Sequence, residues 1–249
     1  MIHAWGLTDI GLVRKENQDA YTVRRSEGTG HLVCVVCDGM GGPAGGKLAS
    51  TLATGTFMGS CLSNLRSGMS QEEMQRVAEF AVTAANGAVY DRSLADPELR
   101  GMGTTLVSAI IDDDVAVISN IGDSRAYLVR PSSGMSITRV TKDHSVVEKL
   151  VDMGNITAEQ ARVHPDRNLI TRALGTNVHV ESDTYFLPLQ RGDYLLLCTD
   201  GLIDTVTDLE MEREINSGES TNSCLQRLLE IAKSRGAADN VTAVLLHVQ

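Results

Sequence analysis

Residues 32–42, LVCVVCDGMGG, constrain the fold more than any other part of this chain. Six apolar residues follow one another without a polar interruption, which predicts a β-strand buried on both faces. The run stops at Asp38, and three of the next four residues are glycines. Glycine permits turns and close backbone approaches that a Cβ would block. The segment therefore places a carboxylate beside bare backbone at the mouth of a buried strand, which suits a hard cation or a phosphate.

Length and charge narrow the class of protein. The chain has 249 residues, of which 42% are apolar, enough for a sizeable core. Its net charge of −10 argues against binding to nucleic acid or to an anionic membrane surface. No apolar stretch approaches the ~20 residues of a membrane span, and the N-terminal residues lack a signal-peptide pattern. We therefore expect a cytoplasmic protein, and the lack of a coiled-coil pattern favours a monomer.

The chain has five cysteines, an odd number, and most of them lie in apolar runs. Cys34 and Cys37 have the CxxC spacing that is also typical of metal or redox sites. In a strand, however, positions three apart point to opposite faces, so these two thiols would not share a metal. We interpret them as buried, unreactive thiols.

The hydrophobic pattern predicts both strands and helices. Apolar runs indicate strands at 5–8, 20–23, 32–37, 103–111, 115–121, 126–129, 135–140, 182–187, 194–198 and 241–248. Helical spacing and capping residues indicate helices at 45–65, 71–92, 158–163 and 220–235. Short connections predict two antiparallel meanders, one within 5–37 and one within 103–140. We therefore expect a single domain, residues 1–249, of the α+β class, with helices covering the sheet faces.

Four acidic turns share one pattern, an Asp at a sharp bend beside an apolar strand. They hold Asp38, Asp123, Asp200 and Asp239. An Asp at the end of a core strand is costly to desolvate unless a cation or donors compensate. Carboxylates and carbonyls are ligands for Mg²⁺, Mn²⁺ or Ca²⁺, and two bridged cations suit phosphoryl hydrolysis. Arg14 offers a planar fork for phosphate, although an ion pair with Glu16 or Asp19 is the alternative.

Taken together, the motifs of the whole chain resemble the metal-dependent Ser/Thr protein phosphatases of type 2C in their compact bacterial form. The matching segments occur in the order of that family and span nearly all of the chain. They are 8–14 (TDIGLVR) with 17–19 (NQD), 38–42 (DGMGG), 103–105 (GTT), 122–125 (GDSR), 141–145 (TKDHS), 170–175 (ITRALG), 199–202 (TDGL) and 239–242 (DNVT).

The resemblance implies a four-layer α/β-sandwich, in which two antiparallel sheets are flanked by helices, and two core Mn²⁺ or Mg²⁺ ions. Asp38 would bridge the two ions, and a third, weaker ion would be shared by two carboxylates. The other ligand roles it implies are Asp200 and Asp239 at the first ion, the Gly39 carbonyl with Asp19 or Gln18 through water at the second, and Asp123 with Asp200 at the third.

The resemblance also implies how substrate would bind and react. Arg14 would clamp the phosphate of a phosphorylated Ser or Thr, and the ion-bridging hydroxide would attack phosphorus in line. Residues 144–172, including His144, Gly154 and Arg172, correspond to a flap that borders the site and influences substrate choice. A cognate Ser/Thr kinase and its substrates would be the cellular partners.

This chain departs from the family pattern at three places. Met40 stands where eukaryotic members have a His that is a candidate acid, so a metal-bound water, or less favourably His144, would protonate the leaving group. Gln18 stands where many relatives have Glu, which removes a charge from the second ion site. Residues 43–47 also differ from the usual His and Glu of bacterial relatives.

Two other functions are compatible with parts of the pattern. A non-catalytic phosphoprotein-binding or sensor module of the same fold would be expected to lack a metal Asp or the Arg, and none is missing. A nucleotide-binding loop at 39–46 would require Gly-Lys-Ser/Thr, whereas Lys47 is followed by Leu48. The sequence therefore favours a phosphatase.

Overall fold

The computed structural model of the protein describes residues 1–131 and 137–249. The strands are β1 (Ile2–Asp9), β2 (Asp19–Arg25), β3 (Leu32–Met40), β4 (Gly103–Thr104), β5 (Leu106–Asp112), β6 (Val115–Ile121), β7 (Arg125–Val129), β8 (Ile137–Arg139), β9 (Asp183–Pro188), β10 (Tyr194–Cys198) and β11 (Val241–Val248). The α-helices are α1 (Gly42–Asn64), α2 (Gln71–Ala95), α3 (Val146–Asp152), α4 (Ala158–Arg162), α5 (Asp200–Ile203), α6 (Asp208–Ile215) and α7 (Thr221–Ser234). The first residues of the strand predicted at 135–140 lie outside the described residues.

The strands form two antiparallel sheets. The five-stranded sheet has the order β1-β11-β10-β7-β8, and the six-stranded sheet has the order β2-β3-β5-β6-β9 with β4 paired to β3. Apolar side chains fill three separate cores. One core lies between the sheets, one lies between the six-stranded sheet and helices α1 and α2, and one lies between the five-stranded sheet and helices α5 to α7. The predicted α+β class and four-layer sandwich are therefore confirmed.

Both predicted meanders are wrong in one respect, because each is divided between the two sheets. Strand β1 pairs with β11, whereas β2 pairs with β3 in the other sheet. Likewise β6 pairs with β9, whereas β7 pairs with β10. The chain thus crosses from one sheet to the other at 10–18 and again at 122–124. Short connections predict neighbouring strands, but they can equally join the edges of two packed sheets.

Strand β3 is longer than its apolar run suggests. It continues through Asp38 and Gly39 to Met40, and the turn comes at Gly41, whose φ is 119°. Helix α1 then begins at Gly42. The turn therefore comes later than the predicted turn directly after Asp38, and the helix begins before the predicted residue 45. All six residues of the run, from Leu32 to Cys37, are buried, as the sequence pattern predicts.

The two cysteines of β3 lie on opposite faces of the strand. Cys34 packs in the core between the sheets, and Cys37 packs in the core under α1 and α2. All five cysteines are free and buried. The interpretation of the CxxC spacing as two unreactive thiols on opposite faces is thus confirmed in its geometry.

Helix starts follow their capping residues closely. Ser70 caps α2 and Thr157 caps α4, each in a reciprocal capping box with the residue three positions on. Helices α3, α5 and α6, which span four to eight residues each, were not predicted individually. In particular, Asp200 begins α5 instead of lying in a turn.

None of the helices in the described residues combines the length and the apolar character that crossing a membrane requires.

Candidate functional site

A cavity of about 460 Å³ opens at the end of the sandwich where the chain crosses between the sheets. Most of the residues predicted for the site meet there, although they come from five separate segments. Those lining the cavity are Arg14, Asp38, Gly39, Asp123, Asp200 and Asp239. The sequence therefore predicted the main lining of the cavity.

Asp38 is held in place by the two threonines of the following sheet segment. Its backbone N–H donates to the Thr105 hydroxyl at 2.9 Å, and its carbonyl accepts from the Thr104 hydroxyl at 2.7 Å. Thr105 in turn shares a hydrogen bond of 2.7 Å with Ser124, next to Asp123. The hydroxyl of Thr105 thus links the segment that carries Asp38 to the crossover that carries Asp123.

Asp19 stands directly opposite Asp38 in the pairing of β2 with β3. It is buried and does not line the cavity itself. One of its carboxylate oxygens accepts from the Thr199 hydroxyl at 2.9 Å, which ties it to the residue before Asp200. Its other oxygen, like Oδ1 of Asp200, is buried without a hydrogen-bond partner among the described residues.

Burial strongly perturbs these carboxyl groups. Desolvation raises the pKa of Asp38 and of Asp123 well above the ordinary range, and repulsion from Asp200 adds to it. Desolvation also raises the pKa of Asp19 to about 7 and that of Asp200 to about 6. Asp19 is buried, and Asp38, Asp123 and Asp200 are half-buried. A nearby positive charge would favour the ionised form of these mutually repelling acids.

The donor set fits hard divalent cations. Within residues 1–131 and 137–249, no three or more His, Cys, Asp or Glu side chains are placed so that together they could hold a metal ion. The carboxylates instead face a shared cavity large enough for water. Mg²⁺ is bound in this way, by one or two carboxylates with several retained waters, and Mn²⁺ prefers the same oxygen ligands. The residues present therefore fit such ions.

Arg14 lies at the mouth of the cavity, and its guanidinium donates to Asp239 Oδ2 at 2.6 Å. Its ion-pair partner is therefore a predicted metal ligand and not Glu16 or Asp19. The side chain of Arg14 is 53% exposed. Because guanidinium carries five N–H donors, Arg14 can hold Asp239 and still present N–H groups to an anion in the cavity.

Asn240, which has no assigned role in the sequence pattern, fixes the loop that carries Arg14. Its Nδ2 donates to the carbonyl oxygens of Ile10 and Glu16 at 2.9 and 3.1 Å. Its Oδ1 accepts from the backbone N–H of Gln18 at 2.9 Å. One buried side chain thus binds both ends of the loop, next to Asp239.

Gly39 is required by a close backbone approach. A Cβ at this position would overlap the Gly46 carbonyl and lie 2.6 Å from the Gln18 carbonyl oxygen. The first turns of α1 therefore pack directly on the backbone of β3 beside Asp38. Gln18 also donates through its side-chain amide to the Gly42 carbonyl at 2.9 Å, so it joins the two segments.

The flap, residues 144–172, contains α3 and α4 and is anchored at its base. His144 Nδ1 accepts from the Gly122 N–H at 3.1 Å, and Arg172 donates to Asp183 at 2.8 Å. His144 is buried, contacts Arg172 and Asp183 through Nε2, and does not line the cavity. His144 thus anchors the base of the flap to Gly122 and lies outside the lining of the cavity. Gly154 is exposed just after α3, away from the cavity.

Several residues at the cavity were not predicted. Asn168 and Ile170 of the flap line it directly, as does Lys15. Asn168 carries no signal in the sequence, because an Asn in a polar, short-helical segment is ordinary. Met40, which the sequence marks as a departure from the family pattern, also lines the cavity.

Comparisons with known proteins agree on one family. A family model described as Protein phosphatase 2C matches residues 13–246. The serine/threonine phosphatase stp of Listeria monocytogenes serotype 4b is 35% identical over 245 residues, which cover 98% of this chain and 95% of that protein. The crystal structure of the serine/threonine phosphatase Stp1 from Staphylococcus aureus has a TM-score of 0.92 at 34% identity, covering 100% of this chain and 96% of that chain. The catalytic domain of the phosphatase PstP in complex with 2 manganese ions has a TM-score of 0.84 at 32% identity, covering 100% and 99%.

Proposed function

The chain belongs to the protein phosphatase 2C family, and from this premise we propose that it hydrolyses phosphoserine and phosphothreonine in proteins. One observation carries the proposal. Carboxylates from four separate segments face a single cavity whose mouth holds Arg14. A cavity lined by carboxylates repels a phosphate by itself. Divalent cations between the carboxylates and the phosphate would remove this repulsion.

We propose that Asp38 would be a ligand shared by two Mn²⁺ or Mg²⁺ ions, and that Asp200 and Asp239 would be further ligands of the first. The Gly39 carbonyl would serve the second ion, with Asp19 behind it through water, and Asp123 would share a third, weaker ion with Asp200. When bound, such ions activate water and neutralise the charge that develops on a phosphoryl group. The buried, unpaired oxygens of Asp19 and Asp200 support this assignment.

Phosphate binding and proton donation depend on the residues around the cavity. Arg14 holds the phosphate by donating from its guanidinium plane, and its contact with Asp239 fixes the orientation of that plane. Met40 borders the cavity and has no proton to donate. The nitrogens of His144 are engaged at the flap base. We propose that the serine or threonine leaving group takes its proton from water.

We further propose that residues 1–249 act as one domain and as a monomer, with the flap at 144–172 influencing which phosphoproteins are accepted. A Ser/Thr kinase acting on the same residues would be its counterpart. Sedimentation velocity tests the monomer, which should sediment as a single species near the 26.7 kDa of the chain.

The experiment that tests the function is a Mn²⁺ and Mg²⁺ series with a phosphothreonine peptide. We expect metal-dependent phosphate release by the wild type, and a loss of at least about a hundredfold in Asp38→Ala and Asp239→Ala. Asp91→Ala, an exposed carboxylate on α2, is the matched control and should behave as wild type. Calorimetric titration with Mn²⁺ gives a readout independent of turnover. Full activity in Asp38→Ala, or no Mn²⁺ binding at millimolar concentration, would reject the proposal.

A further inference from the structure

A bidentate ion pair joins the crossover at 122–125 to the segment directly before the flap. The Nε of Arg125 donates to Asp143 Oδ1 at 2.9 Å, and its Nη2 donates to Oδ2 at 2.6 Å. The two side chains are only 20% and 7% exposed. A planar guanidinium that holds both oxygens of a carboxylate fixes the orientation of the two groups as well as their distance. The pair therefore sets how the two segments lie against each other.

Hydrogen bonds on both sides of Arg125 strengthen this contact. The N–H of His144 donates to the Gly122 carbonyl at 2.8 Å, and its Nδ1 accepts from the Gly122 N–H at 3.1 Å. The N–H of Ala126 donates to the Thr141 hydroxyl at 3.0 Å. A displacement of either segment would break several of these bonds, so we expect the two segments to move together.

The segment that carries Asp143 also supports the wall of the catalytic cavity. Ser145 forms an isolated antiparallel bridge with Ile170, and the Thr171 N–H donates to the His144 carbonyl at 2.7 Å. Ile170 and Asn168 are the flap residues that line the cavity. Residues 143–145 are therefore in direct contact with the part of the flap that faces the site.

The crossover that carries Arg125 also carries a carboxylate of the site. Asp123 lies two positions before Arg125 and lines the catalytic cavity. A neighbouring cavity of about 330 Å³ is lined by Arg125 and Asp143, and also by Asp123 and Asn168, which line both cavities. Arg125 and Asp143 are not among the described residues that line the catalytic cavity itself. The pair thus lies behind the site, between one of its carboxylates and its flap wall.

We propose that Arg125 and Asp143 are positioning residues, which together set the placement of Asp123 and of the flap wall formed by Asn168 and Ile170. Loosening the pair then weakens cation binding and peptide binding at the same time. Neither side chain takes part in the reaction. This inference rests on the proposed phosphatase function and extends its machinery to two residues outside the cavity.

The test uses Arg125→Lys, which keeps the positive charge and removes the planar fork. Calorimetry should show an affinity for Mn²⁺ about tenfold lower, as when groups that orient metal ligands are lost. At saturating Mn²⁺, kcat/KM for a phosphothreonine peptide should fall by about tenfold, mostly through KM, because the flap wall is misplaced. Turnover of p-nitrophenyl phosphate, which has no peptide to contact the flap, should stay close to wild type. Asp143→Asn should give the same pattern.

The other end of β7 offers a matched control. Arg130 makes the same kind of pair with Asp193, through Nε to Oδ1 at 2.9 Å and Nη2 to Oδ2 at 2.7 Å. These side chains are 24% and 2% exposed. Arg130 lies five positions from Arg125, about 16 Å along an extended chain. Arg130→Lys should lower stability in urea as Arg125→Lys does, and it should leave the Mn²⁺ affinity and the peptide KM unchanged.

Each contrary result has a definite meaning. If Arg125→Lys loses stability but keeps the wild-type Mn²⁺ affinity and peptide KM, the pair is only structural and the inference is overturned. Equal losses of Mn²⁺ affinity in the two Arg variants overturn it as well. If Arg125→Lys does not fold, Asp143→Asn, which keeps the size of the side chain, decides by the same measurements. A wild type that hydrolyses neither substrate rejects the phosphatase function, and the calorimetric comparison still tests the positioning.

Discussion

Replacing Thr105 with valine should damage the site and the fold together, because one buried hydroxyl joins two of the segments that form the cavity. Thr105 Oγ1 accepts the backbone N–H of Asp38 at 2.9 Å and shares a 2.7 Å hydrogen bond with Ser124. Valine has nearly the same shape as threonine and carries a methyl group in place of the hydroxyl. The change therefore isolates these two hydrogen bonds from packing.

The expected loss of stability follows from the partners that are left behind. Two net hydrogen bonds contribute about 1 kcal/mol each, and the buried N–H of Asp38 left without an acceptor costs about 1 kcal/mol more. The total of about 3 kcal/mol corresponds to a fall in Tm of about 6 to 12 °C for a domain of this size. The affinity for Mn²⁺ should also fall by at least about tenfold, as it does when groups that orient metal ligands are removed.

Urea unfolding and thermal melts in EDTA measure the stability, and calorimetry with Mn²⁺ measures the affinity. Thr184→Val is the matched control, because the Thr184 hydroxyl is buried without a hydrogen-bond partner among the described residues. Its substitution should change the free energy of unfolding by no more than about 0.5 kcal/mol. If the two variants are equally stable, the link between Asp38 and Ser124 does not contribute as we argue.

Three further predictions follow from the geometry. Gly39→Ala should destabilise the protein by at least about 2 kcal/mol in urea unfolding, because its Cβ would overlap the Gly46 carbonyl. The control Gly59→Ala has open space around it in α1 and should be neutral or stabilising. Similar effects of the two substitutions would contradict the argument. Burial raises the pKa of Asp19 from 3.8 to about 7, so its contribution to stability is present below pH 4 and is lost as the pH rises through 7. Melts in EDTA from pH 4 to 8 should show a smaller loss for Asp19→Asn than for wild type, and parallel curves would refute this. Finally, the five buried cysteines should react with Ellman's reagent only after unfolding in urea, whereas rapid labelling of the native protein would contradict their burial.

Local patterns predicted most of the regular structure and the family. Strands β6, β10 and β11 have the predicted bounds, because each is an apolar run ended by a clear turn. The comparisons confirm the type 2C resemblance. The pairing of β1 with β2 and of β6 with β7 was wrong, since the pattern within a strand does not say which of two sheets the strand joins. That depends on contacts between residues far apart in the chain, such as Thr8 with Thr242.

The residues of the site likewise divide into those that the sequence predicts and those that it does not. The carboxylates were predictable because an Asp at the end of a buried strand is unusual by itself. The partner of Arg14 was not, since Asp239 lies 225 positions away. Asn240 and Thr105 were likewise recognised only as parts of motifs. Their importance comes from hydrogen bonds to backbone of other segments, which leave no periodicity in the sequence.

The carboxylates around the cavity come from both sheets. Asp19 and Asp38 belong to the six-stranded sheet, whereas Asp200 follows β10 and Asp239 precedes β11 of the five-stranded sheet. Any sliding of one sheet over the other changes the separation between these two pairs. The apolar layer between the sheets therefore sets the width of the site. A cation bound between the two pairs of carboxylates would hold the two sheets together at this end. We therefore expect substitutions of residues in this layer, such as Val36 and Leu197, to change the affinity for a metal ion.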